Sequence, residues 1–79
     1  MNKLTHPEIT QQEVDLYFFY RKNGISPGFF LRYFYYLKKT RTTVEAFAEA
    51  NQEYFDLFGE YRYSSNQSFR NQLKNYLKQ

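Results

Sequence analysis

The chain contains no cysteine, a single histidine, three glycines and two prolines among its 79 residues. Without thiols it can form neither disulfide staples nor thiolate metal sites, and it is compatible with a reducing compartment such as the cytoplasm. One histidine, His6, cannot assemble a zinc site, which takes several His or Cys ligands. No glycine-rich phosphate loop and no nucleophile elbow is present. Glu45, Glu49 and Glu53 recur every four residues and read as a solvated acidic face rather than a cation site. The inventory predicts no enzyme, no cofactor and no metal. No apolar run approaches the roughly 20 residues that a membrane span requires. The opening MNKLTHPEIT lacks the apolar segment of a signal peptide, so secretion is not expected and a cytoplasmic location is.

Aromatic rings are abundant instead, with nine Tyr and nine Phe. The segment FFLRYFYYLKK, residues 29–39, places six rings in eleven positions. A domain of this size removes only about 60% of its unfolded surface from water. Large rings, at about 150–250 Å² each, are an economical way to gather buried apolar area. The rings are therefore expected to form the core, with Tyr35, Tyr36, Tyr61 and Tyr63 showing their hydroxyls to water.

Punctuation residues divide the chain into helices. Thr10 with Glu13 has capping-box spacing and predicts a first helix over 11–22, ended by Asn23-Gly24. Ser26-Pro27 reads as an N-cap followed by proline at the first helical position, opening a helix over 27–39. There Phe30, Tyr33, Phe34 and Leu37 share one side. Thr42 with Glu45 opens a third helix through VEAFAEANQEYFDLF. Its inner face is read as Val44, Phe47, Ala48, Phe55 and Phe58, with a break near Asn51 and a stop at Gly59. EYRYSSN reads as a loop. Ser64 with Gln67 repeats the cap spacing before a last helix over 65–78, whose apolar stripe is Phe69, Leu73, Tyr76 and Leu77. The expected fold is all-α, a compact bundle of four to five short helices with an aromatic core. Residues 1–9 form a mobile arm in this reading, and 10–79 a single domain.

Charge arrives in blocks that the net +3 conceals. Residues 1–15 sum to −2, 16–42 to +6, 43–60 to −5 and 61–79 to +4. Segregated blocks of this kind serve either as mutually attracting solvated faces or as a surface for a charged partner. In the last helix Arg70, Lys74 and Lys78 recur every four residues, with Asn71 and Asn75 beside them. Arg suits guanine, Asn or Gln suits adenine, and lysines position phosphates. The candidate nucleic-acid contacts are Gln67, Arg70, Asn71, Lys74 and Lys78, helped by Lys38, Lys39 and Arg41. The expected partner is DNA or a nucleic-acid–protein complex. The alternative is a protein partner met by the exposed tyrosines and the acidic segment 45–60, as in a small regulator or inhibitor of phage or mobile-element type.

With these segments in place, Tyr33-Phe34-Tyr35-Tyr36-Leu37 with Arg41, then Phe47-Ala48, then Tyr76-Leu77 resemble the YozE-like family of small bacterial proteins. The resemblance covers about half of the chain in scattered pieces. It implies a compact sterile-alpha-motif-like helical domain, a fold that serves both protein association and nucleic-acid binding, and it says little about activity, since that family has no settled biochemical role. The chain departs from the family in a short linker from Arg41 to Phe47, a long span from Ala48 to Tyr76, and the lack of a proline before the last helix.

Overall fold

A computed structural model describes residues 9–78. Four helices follow in order: α1 (Gln11–Asn23), α2 (Ile25–Leu37), α3 (Thr43–Phe58) and α4 (Asn66–Leu77). No strand occurs among the described residues. His6 and all of the expected arm except Ile9 lie outside them.

Local chemistry sets most of the boundaries. Thr10 Oγ1 accepts from the Glu13 N–H at 3.2 Å while the Glu13 carboxylate accepts from the Thr10 N–H at 3.2 Å, the reciprocal capping box expected for α1. Gly59, at φ 83°, ends α3 in the left-handed conformation that side chains disfavour. Thr42 caps α3 by accepting from the Glu45 N–H at 3.1 Å, but the Glu45 carboxylate bonds the Thr42 hydroxyl instead of its amide. The box is half formed.

Three expectations are corrected. Ser26 is not the cap of α2. A single residue, Gly24 at φ 92°, both ends α1 and begins α2. Pro27 sits in the first turn, where its missing N–H has no partner to lose. The Ser26 hydroxyl instead accepts from Arg62 Nη2 at 2.7 Å. At α4 the cap is Ser65, accepting from the Ser68 N–H at 3.1 Å, in place of Ser64 with Gln67. Third, α3 passes through Asn51 without a break, and its inner face is Ala46, Phe47, Ala50, Asn51, Tyr54 and Leu57. Val44, Ala48 and Phe55 are exposed, so the true face is turned by about one residue, ~100°, from the expected one.

Asn51 explains why a polar residue belongs inside. Its Oδ1 accepts from the backbone N–H groups of Arg62 (2.9 Å) and Tyr63 (3.3 Å), and its Nδ2 donates to the Tyr63 carbonyl (2.9 Å). One side chain satisfies three backbone groups of the loop 59–65. That clip turns Tyr63 inward, where its ring meets Phe29 at 5.2 Å and Phe69 at 5.4 Å.

The core is the aromatic cluster the composition implied. Tyr20, Phe29, Phe30, Tyr33, Phe47, Tyr54, Tyr63 and Phe69 are buried, with Leu57 and the small Ala46 and Ala50. Of the four tyrosines expected to face water, Tyr35 and Tyr61 are exposed, Tyr36 is half-buried and Tyr63 is buried. On α4, Leu73 and Tyr76 are half-buried, whereas Leu77 is exposed.

Gly28 brings the backbone of α2 close against Tyr20 of α1. A Cβ there would stand 2.7 Å from Tyr20 Cδ1. Tyr20 cannot easily yield, because its ring is enclosed by Phe19 at 5.6 Å, Tyr54 at 5.7 Å and Phe58 at 5.5 Å. Alanine in a helix interior is normally worth about 1 kcal/mol over glycine. Overpacking of about 1–3 kcal/mol should outweigh it. Gly28→Ala is expected to lower the urea midpoint, and a raised midpoint would show that this contact is loose.

Candidate nucleic-acid interface

Two grooves of opposite character lie on the surface. The first, of about 250 Å³, runs between α1 and α3 and is lined by Glu13, Glu49, Glu53 and Asp56 with Gln12, Gln52, Tyr36 and two leucines. Among the described residues no group of three or more His, Cys, Asp or Glu is placed to hold a metal ion. The second groove, of about 430 Å³, is lined by Arg70, Lys74, Asn66, Gln67 and Asn71, together with Tyr33, Leu73, Leu77 and Thr43. No residue belongs to both grooves, and no carboxylate lines the second.

The segregation has a sequence cause. The +6 block of residues 16–42 and the −5 block of residues 43–60 meet inside the fold at a single pair. There Arg32 Nε and Nη2 each donate to Glu53 at 2.7 Å, with side chains only 17% and 11% exposed. The Tyr36 hydroxyl donates to the same carboxylate at 2.6 Å. Burial, reinforced by that bond, pushes the Tyr36 phenol up to about 12. This is the only ion pair between described residues, so the cations of α4 stay uncommitted.

The predicted contact residues divide accordingly. Gln67, Arg70, Asn71 and Lys74 are exposed and share the second groove. Lys78, also exposed, follows as the C-cap of α4, so its charge and that of Lys74 stand at the negative end of the helix. Arg70 lies close enough to the buried Tyr33 to oppose the rise that burial imposes on its phenol. Arg41 is exposed and lies two residues before Thr43 in sequence, and it does not line the groove. Lys38 is the exposed C-cap of α2. Lys39 is placed differently. Its Nζ stands 4.8 Å from the Tyr35 ring centroid, and interaction with that ammonium holds the phenol below its ordinary value. Tyr35 lines a further groove with Gln12, Asp15, Leu16, Phe19 and Arg32, so Lys39 is not part of the α4 cluster.

Sequence reasoning did not find Tyr33, Thr43 and Leu73 as walls of the basic groove. Tyr33 and Leu73 read as core positions, and only the packing of α4 across the start of α3 leaves their edges lining a surface. The loop from α3 to α4 spans the seven residues 59–65, longer than the three or four of a helix-turn-helix. No helix among the described residues is long and apolar enough to cross a membrane. No family model, curated protein or solved structure matches the chain.

Proposed function

We propose that the protein is a non-enzymatic binding module that contacts nucleic acid through α4. The observation that carries this reading is the separation of the two grooves: the α4 side offers cations and amides with no carboxylate, while the acidic groove shares none of its residues. Phosphate binding releases counterions, so affinity falls with salt by a log-log slope of about −0.9 per phosphate contacted. Lys74, Lys78, Lys38 and Arg41 predict a slope of about −3 to −4 on duplex DNA. Replacing Lys74 and Lys78 by alanine should flatten it by about 2. A titration at low salt that detects no binding removes the reading.

A protein partner is the second reading, favoured by one surface feature. Phe55 (37% exposed) and Tyr61 (52% exposed) stack at 4.5 Å on the outside of α3, where the Tyr61 hydroxyl donates to Gln52 of the acidic groove. Paired exposed rings beside carboxylates suit a basic protein surface. Binding to a purified partner that survives nuclease treatment and is lost on replacing Phe55 and Tyr61 by alanine would support it.

A further inference from the structure

The exposed side of α4 has more character than a basic patch. Gln67, Arg70, Asn71, Lys74 and Lys78 fall at i, i+3, i+4, i+7 and i+11, a single arc of the helix. Eight of the twelve residues of α4 are exposed and only Phe69 is fully buried, so the helix stands on the rim of the bundle rather than within it. None of the twelve is acidic.

Two features select the kind of nucleic acid. Single-strand binders display rings on which unstacked bases lie. Here the exposed rings are Phe18, Tyr35, Phe55 and Tyr61, all outside α4, while the two rings of α4 are turned inward, Phe69 into the core and Tyr76 onto Phe30 at 4.5 Å. A stacking platform is missing from the arc. A helix presented edge-on requires a groove about 12 Å wide, which the major groove of B-form DNA provides. The deep, narrow major groove of A-form RNA does not.

The amides supply the second feature. Gln67 Nε2 donates to Asn71 Oδ1 at 3.2 Å. With that bond made, Gln67 Oε1 remains an acceptor and Asn71 Nδ2 a donor. Flipping both amides exchanges the roles and again leaves one acceptor and one amino group. One outward acceptor beside one outward donor complements the N6 amino group and N7 of adenine in the major groove. Arg70, the neighbour of Asn71, makes no ion pair or hydrogen bond with another described residue, so its planar fork is available for the O6 and N7 of guanine.

Resting on the nucleic-acid reading above, we infer that the ligand is B-form duplex DNA, with α4 in the major groove, Arg70 on a guanine and the Gln67–Asn71 amide pair on a neighbouring adenine. Lys74 and Lys78 then hold phosphates further along the same strand. The specificity is for a site in which G and A are adjacent.

Selection of the 79-residue chain against a randomised duplex DNA pool tests this, followed by titration of the enriched site as duplex DNA, as its single strands and as duplex RNA. The expected result is a site with adjacent G and A, bound at least tenfold more tightly as duplex DNA than in the other two forms. Asn71→Ala with Gln67→Ala should lower discrimination at the adenine by about tenfold, and Arg70→Ala should do so at the guanine, both with the salt slope of the Lys74 and Lys78 contacts retained. Circular dichroism of these surface variants confirms that α4 is intact. Equal affinity for single strands or duplex RNA, or base preference unchanged in the amide variant, overturns the inference while leaving nucleic-acid binding in place. Absence of binding to any of the three forms overturns both.

Discussion

Phe69→Ala is expected to destabilise the protein by about 3–5 kcal/mol, the range for truncating a large buried ring. A chain of this length holds only about 4–12 kcal/mol in total. The ring is 1% exposed and is the only fully buried side chain of α4. Its centroid lies 4.7 Å from Tyr33, 4.9 Å from Phe47, 5.4 Å from Tyr63, 5.5 Å from Phe29 and 5.8 Å from Phe30. One residue thus joins α4 to α2, α3 and the loop before it. Without that anchor α4 keeps only the half-buried Leu73 and Tyr76, and an isolated helix of twelve residues is marginal in water. The amides of α4 should therefore exchange early, while those at the α2–α3 contact stay protected. Loss of the helix also removes the arc from Gln67 to Lys78, so duplex binding should fall together with α4 protection. Phe69→Leu, which keeps most of the volume, should restore much of both. A Phe69→Ala protein with native stability and full α4 protection would mean that α4 is held by something other than this ring.

How much of this was legible in the sequence depended on the range of the interaction. Thr10 with Glu13, Thr42 and Gly59 act within one turn of chain, and each marks its boundary as expected. The arc of Gln67, Arg70, Asn71 and Lys74 belongs to one helix, so its spacing alone places those residues side by side. Hydrophobicity alone points to the wrong inner face of α3, because it does not fix the orientation of this helix. Phe55 is more apolar than Ala46 or Ala50, yet it faces outward. The small alanines lie on the buried side of α3, where they present little bulk to the rings around them. Asn51 read as a break because nothing local shows that a loop eleven residues later needs its amide. Ser26 read as a cap because its true partner, Arg62, is 36 residues away. Lys39 read as part of the basic cluster because its neighbours in sequence, Lys38 and Arg41, are basic; the ring of Tyr35 draws it elsewhere.

The Arg32–Glu53 pair, 21 residues apart in sequence, was equally invisible, and it carries the second large expectation. Glu53→Ala should lower stability by about 3–5 kcal/mol, because it leaves a largely buried guanidinium without its counter-ion. Two charge-assisted bonds from Arg32 and one from Tyr36 end on this carboxylate. The favourable energy of the intact pair is a separate quantity, since desolvation offsets most of the attraction. Replacing Arg32 by methionine, Tyr36 by phenylalanine and Glu53 by leucine together should return stability to within about 1 kcal/mol of wild type, or above it. Urea denaturation of the single and triple variants separates the two quantities. A single variant losing less than about 1 kcal/mol would show that water reaches Arg32. The pH profile carries a linked signature. Burial holds Tyr20, Tyr33, Tyr54 and Tyr63 above the ordinary tyrosine value, and Tyr36 is pushed up to about 12. These phenols keep their protons in the fold at a pH where the unfolded chain, with pKa near 10, has lost them. The contribution of Tyr36 is complete below about pH 10 and is lost as pH rises toward 12, and the other four phenols act in the same direction. Wild-type stability should therefore fall through that window, and the triple variant, lacking the Tyr36 phenol, should fall less steeply.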